Sequence, residues 1–217
     1  MHLFLIFGLP LGFLILVLYA YPRNEFSQTR GAYLRGLAAF LPIWLIARIL
    51  GAIVPAAYGS FLLTFHEWAD RLLPYAVLPA LAYLVFFKPG ERLPPGVEPR
   101  RLTAFYAGAL SPVGVCETAR VWGVPSPYAL FFLPFLLAAI CLAMPKAFVR
   151  IHQAYGLGLF VELAAVAAAS FAASLCPFLL LARLWPLAVL LVVILGFWAR
   201  YLAFSDLLRR PPIPLDE

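Results

Sequence analysis

Charged side chains are scarce in this sequence, since Asp, Glu, Lys and Arg make up 12% of its 217 residues, whereas soluble domains carry about a quarter. Hydrophobic residues make up 65% of the chain, and the mean hydropathy is +0.95. This composition excludes a water-soluble fold, because the surface would be largely apolar. It predicts an all-α, polytopic integral membrane helix bundle surrounded by the lipid bilayer.

The signatures of common membrane enzymes and cofactor sites are also missing. No lysine lies in a predicted span, which excludes a retinal Schiff base, and no histidine pair lies inside the bundle to ligate a b-type haem. The chain has no P-loop, no GxSG nucleophile with a buried histidine and no Asp-rich phosphate-binding cluster. Its three cysteines, Cys116, Cys141 and Cys176, lie far apart in apolar segments and are interpreted as small buried hydrophobes. These absences argue against an enzyme, and we expect no cofactor.

The basic residues outnumber the acidic ones, with a net charge of +6, but they never gather into a patch. They lie between apolar blocks and lack the interleaved aromatic residues of a nucleic-acid-binding surface. Nucleic acid is therefore excluded as a partner.

Seven apolar stretches are bounded by charges or turn residues, and each is a candidate transmembrane helix. They are residues 3–20, 36–57, 72–87, 103–119, 127–145, 154–182 and 184–204, which together form a single transmembrane domain, 1–217. The first stretch has neither the basic start nor the cleavage pattern of a signal peptide. Internal prolines predict that several of these helices are kinked. They are Pro10, Pro42, Pro79, Pro112, Pro134, Pro177 and Pro186.

The distribution of basic residues predicts an N-terminus outside and a C-terminus in the cytoplasm. With seven spans, only Arg71, Arg120 and Arg183 are outside, Arg48 lies within a helix, and the other basic residues are cytoplasmic. The stretch 103–119 contains glycine, proline and an acid and could instead be re-entrant, but the charge bias would then be weaker. We expect a multi-pass protein of a bacterial inner membrane.

Ionisable residues inside the predicted spans are the strongest functional signal, because a charge in hydrocarbon is costly. Arg48 and Glu162 lie at similar depths from the cytoplasmic side, so they are predicted to face the interior and to form a buried pair or line a pathway. Alternatively, Arg48 reaches the membrane surface and Glu162 is protonated. Glu117 and Arg120 are predicted to pair at the outer end of the fourth span.

Residues 64–71 (Thr-Phe-His-Glu-Trp-Ala-Asp-Arg) resemble the HExxH pattern of zinc proteases, with Asp70 replacing the second histidine. A helix would place His66 and Asp70 on one face, where His2 could complete a metal site. An amphipathic turn at the outer interface, anchored by Trp68, explains the same residues without a metal. We therefore expect an interfacial turn and no metal.

Small residues mark the sixth predicted helix, 154–182. Ala164 and Ala168 are four residues apart, as are Ala169 and Ala173, and such spacing lets another helix approach closely. This pattern predicts a central packing helix, or a contact face for other membrane subunits.

These features favour a transport function, either as a small permease or as the membrane-embedded subunit of a multi-subunit complex. A purely structural subunit overlaps with this hypothesis. The alternative is an intramembrane enzyme that acts on lipid-linked substrates at the outer face. Its candidate acid–base groups are His66, Glu67, Asp70 and Glu117.

Overall fold

The computed structural model of the protein describes residues 26–53, 61–86, 97–120, 132–153 and 156–204. Every regular element in these ranges is a helix. The elements are α1 (Phe26–Ile53), α2 (Phe61–Glu67), a π-helical segment (Trp68–Leu72), α3 (Leu73–Phe86), α4 (Val97–Arg120), α5 (Leu133–Gln153), α6 (Leu157–Leu181) and α7 (Trp185–Phe204). The predicted span at 3–20 lies outside the described residues.

Four helical stretches in the described chain are long and apolar enough to cross a membrane. They are Thr29–Ile53, Leu62–Phe86, Leu133–Ile151 and Phe160–Leu181, and Trp185–Tyr201 is a shorter apolar stretch. The predicted all-α fold with helices of membrane-spanning length is confirmed. The count of seven spans and the orientation of the N-terminus stay predictions.

One continuous helix, formed by α2, the π-helical segment and α3, occupies residues 61–86. The sequence analysis placed the start of this helix at residue 72 and assigned residues 64–71 to an interfacial turn. That assignment is corrected here, because the polar residues of 64–71 are part of the helix itself. Two of them, Glu67 and Asp70, are buried against other helices, and this burial spares their carboxyl groups from exposure to hydrocarbon.

Glycines bring the backbones of α1 and α4 into direct contact. A Cβ atom on Gly36 of α1 would collide with the carbonyl oxygen of Phe105, and one on Gly108 of α4 would collide with the carbonyl oxygen of Tyr33. Each helix therefore touches the backbone of the other at a position where only glycine fits. Because of this close approach, nearly every residue of α4 from Leu102 to Val113 is buried.

A proline inside α4 leaves one carbonyl group without its usual helical donor. Pro112 has no N–H to offer the carbonyl of Gly108 four residues earlier. The hydroxyl of Ser111 donates to that carbonyl at 3.4 Å and also lies 3.4 Å from the hydroxyl of Tyr33 on α1. The proline is thus accommodated by local hydrogen bonding inside the α1–α4 interface.

The alanine-rich helix α6 is less enclosed by the described part of the chain than the sequence indicated. Ala164 and Ala168 are exposed, Ala169 is half-buried and Ala173 is buried. The central position that we predicted for this helix is taken by α4, because glycine permits a closer backbone approach than alanine does. A contact of Ala164 and Ala168 with another subunit stays a prediction.

Candidate functional site

The π-helical segment interrupts the helix 61–86 where its ionisable residues lie. Its wider turn is defined by the hydrogen bond from the N–H of Leu73 to the carbonyl of Trp68, five residues earlier. Glu67 directly precedes this segment and is 4% exposed, and Asp70 lies within it and is 5% exposed. Single π-helical turns are frequent at functional sites, and this one carries two buried carboxyl groups.

Arg48 of α1 forms an ion pair with Asp70. Its Nη2 atom lies 3.2 Å from the Oδ1 atom of Asp70, and the two side chains are 19% and 8% exposed. The same nitrogen donates a hydrogen bond to the main-chain carbonyl oxygen of Asp70 at 3.3 Å. A single guanidinium nitrogen therefore holds both the carboxylate and the backbone of the π-helical segment.

Pro74 explains why the carbonyl of Asp70 accepts a side-chain donor. An α-helix would satisfy this carbonyl with the N–H of the residue four positions later, and that residue is a proline. Arg48 supplies a donor in its place. The arginine thus has a structural role in the neighbouring helix in addition to its role in the ion pair.

Gly51 lies one helical turn after Arg48 on α1 and faces the same carboxylate. A Cβ atom at this position would overlap the Oδ1 atom of Asp70 and would lie 2.6 Å from its Cγ atom. The α1 helix therefore contributes two features to the site. Arg48 binds the Asp70 carboxylate, and Gly51, which has no side chain, leaves room for it.

The other side of the π-helical segment contacts α6. The Nε1 atom of Trp68 donates to the hydroxyl of Ser170 at 2.9 Å, and that hydroxyl lies 3.0 Å from the carbonyl oxygen of Ala167. The ring of Trp68 packs edge-on against Phe171, with ring centroids 6.0 Å apart. Trp68 was predicted to anchor the chain at the membrane interface, but its indole N–H instead binds a neighbouring helix.

Two further polar groups lie on α2 beside these carboxyl groups. Thr64 is fully buried, and its hydroxyl makes no hydrogen bond with any residue that the structure describes. The buried Nδ1 atom of His66 is likewise without a partner in that part of the chain. Because Thr64 and Glu67 are three residues apart, they lie on the same face of the helix.

The predicted site residues are thus only partly brought together. Arg48 has a buried carboxylate partner, but the partner is Asp70 and not Glu162, which is half-buried on α6 and makes no ion pair with a described residue. The predicted pairing of Arg48 with Glu162 is therefore corrected. Asp70 was not predicted as the partner because residues 64–71 were assigned to the membrane surface. The side chains of Glu117 and Arg120, and His2, lie outside the described part of the chain.

The structure also bears on the metal and acid–base hypotheses for His66, Glu67 and Asp70. No three His, Cys, Asp or Glu side chains of the described residues gather in an arrangement that could hold a metal ion. Glu67 and Asp70 are buried between helices, whereas a general acid or base must reach its substrate.

Fold and site together define an all-helical protein with helices of membrane-spanning length and an ion pair buried between two of them. Comparisons with protein-family models, with curated proteins and with solved structures find no match to this chain.

Proposed function

We propose that this chain is a multi-pass protein of a bacterial inner membrane with a role in transport, as a small permease or as the membrane-embedded subunit of a transport complex. The observation that carries the proposal is the 3.2 Å ion pair between Arg48 and Asp70. It joins two helical stretches that are each apolar enough to cross a membrane, Thr29–Ile53 and Leu62–Phe86.

Energetics support a functional reason for these charges. An arginine or an aspartate at the centre of a membrane helix costs about 2.5–3.5 kcal/mol on insertion scales. Replacing a buried ion pair by well-packed apolar residues is often neutral or stabilising, so the pair is not needed for stability alone. Ionisable residues inside membrane spans commonly mark the pathway of an ion or a proton.

The chemistry of the site suits the reversible binding of a small cation. Arg48 offsets the charge of one carboxylate, and Glu67 places a second buried carboxyl group three residues from Asp70. A proton or another cation on Asp70 would weaken its attraction for Arg48 and loosen the contact between α1 and the π-helical segment. The π-helical turn and Pro74 supply the local irregularity at which the helix 61–86 can bend.

Charge movement in proteoliposomes tests this function without knowledge of the transported solute. Vesicles containing the protein are adsorbed to a solid-supported membrane, and the bath is switched to a lower pH or to a higher Na⁺ concentration. We expect a transient current after one of the two switches, because the cation enters the membrane to reach Asp70 and Glu67. The double variant Asp70→Asn, Glu67→Gln should lose this current.

Glu162→Gln is the control, since it removes a carboxylate from another membrane-length helix, Phe160–Leu181, and Glu162 is not part of the ion pair. It should keep the current. No current from the unaltered protein after either switch would contradict the proposal, and so would an undiminished current in the double variant.

A further inference from the structure

An apolar groove runs along α7 on the surface of the protein, at some distance from the ion pair. Its walls are Phe132, which precedes α5, together with Phe135 of α5 and Val189, Val193 and Phe197 of α7, and its volume is about 490 Å³. Among the described residues that line it, Arg200 is the only charged one. The groove therefore combines an apolar trough with one cationic end.

The dimensions of the groove match one leaflet of a bilayer. From Val189 to Arg200 it follows three turns of α7, which corresponds to about 16 Å at 1.5 Å per residue. Half of a hydrocarbon core about 30 Å thick is about 15 Å. A chain lying in the groove would span its leaflet and would reach the headgroup region near Arg200.

Gly196 keeps the middle of the groove open. A Cβ atom at Gly196 would meet no other atom within 4 Å, so neither the backbone nor a neighbouring side chain requires glycine at this position. The absence of a side chain instead leaves room in the groove, which Gly196 helps to line.

Arg200 is available to bind an anion. It is exposed, and it makes no hydrogen bond or ion pair with any described residue. In the predicted topology it lies at the cytoplasmic end of α7, and the cytoplasmic leaflet is the one whose anionic lipids attract basic side chains.

We propose that this groove is a binding site for an anionic membrane phospholipid, with one acyl chain along α7 and the phosphate on Arg200. The apolar walls hold the chain, and the guanidinium selects a lipid with net negative charge over a zwitterionic one. Free inorganic phosphate lacks the chain and would not be retained. This site is separate from the ion pair and does not depend on the transport proposal.

Lipid competition tests the proposal. The full chain, purified in mild detergent, is incubated with equal amounts of phosphatidylglycerol and phosphatidylcholine that carry the same acyl chains, and bound lipids are counted by native mass spectrometry. We expect phosphatidylglycerol to be enriched about five-fold over phosphatidylcholine, which is the preference expected from the attraction of one arginine for an anionic lipid. Arg200→Gln should abolish the preference, whereas Arg183→Gln, at the exposed turn before α7, should retain it.

A second variant tests the groove apart from the charge. Gly196→Phe should lower the retention of both lipids, because the ring fills the trough, and it should fold normally since the position is open. Equal retention of the two lipids by the unaltered protein would overturn the proposal, as would a preference that survives Arg200→Gln. Full retention of both lipids by a folded Gly196→Phe variant would overturn the placement in the groove.

Discussion

Arg48 binds Asp70 through two different groups, the carboxylate and the main-chain carbonyl. The carboxylate contact is electrostatic, whereas the carbonyl contact replaces the donor that Pro74 lacks. Loss of the arginine therefore removes two interactions with the helix 61–86. Loss of the Asp70 side chain removes only one of them, but leaves a buried positive charge without its carboxylate.

A double-mutant cycle separates the structural role of the pair from its functional role. Asp70→Leu alone should destabilise the protein by about 3 kcal/mol, because Arg48 loses its counter-charge. Adding Arg48→Met should recover much of this loss, since the unpaired guanidinium is then removed as well, and the cation-dependent current should still be absent. Unfolding in detergent micelles measures the stabilities. A double variant that is no more stable than Asp70→Leu would contradict this account.

Sequence reasoning located half of the pair. Arg48 was identified because a lone arginine in an apolar stretch is conspicuous, and its burial against a carboxylate followed from the cost of an isolated charge. Asp70 was considered only as a metal ligand or an acid–base group, and not as the partner of Arg48, because it lies among His66, Glu67 and Arg71 and such a cluster is typical of a segment in water. The signals that pointed to it were Pro74, which frees its carbonyl, and Gly51, one turn from Arg48.

Among the helices, α1 and α4 have the most extensive contact that the structure describes. It depends on Gly36 and Gly108, which meet the opposite backbone at Phe105 and Tyr33. The sequence analysis favoured alanines in the sixth helix because four-residue spacing of small residues is a general packing signal. Spacing alone does not show which helix packs against the small residues. The sequence therefore could not tell whether the alanines of α6 or the glycines of α1 and α4 make the closer helix contact.

Replacing glycine by alanine at two positions of α1 tests the importance of this contact. Gly36→Ala should lower the melting temperature in detergent by about 4–8 °C, because the added methyl group forces the two backbones apart at a cost of about 2 kcal/mol. Gly31→Ala adds the same methyl group where it meets nothing within 4 Å. It should be neutral or slightly stabilising, since alanine is the better helix former. Equal melting temperatures for both variants would show that Gly36 does not limit the approach.

The molecule as a whole was predicted well at the level of fold class, because hydrocarbon permits few alternatives to helices. The helix boundaries were predicted less accurately. The helix 61–86 begins earlier than its predicted start at residue 72, since charges that are paired inside the protein do not end a span. Orientation depends on the basic residues of the connecting loops, and it stays a prediction.

Cysteine labelling determines the orientation. The helix 61–86 separates position 60 from position 95, so a membrane-impermeant maleimide should label Ser60→Cys from the outside and Pro95→Cys from the cytoplasm only. The native Cys141 and Cys176 are buried and should react little. Labelling of both introduced cysteines from one side of sealed vesicles would show that this helix does not cross the bilayer.

The separation of Arg48 and Asp70 along the chain has a consequence for biogenesis. Arg48 precedes Asp70 by 22 positions, so it leaves the ribosome first. Until the later helix is synthesised, the Arg48 guanidinium has neither the carboxylate nor the carbonyl that it binds in the mature protein. It must then be solvated by water or by lipid phosphate near the membrane surface. The ion-pair partner of α1 is therefore supplied by a segment made after it, and nascent chains that end before residue 70 cannot form this contact between the two helices.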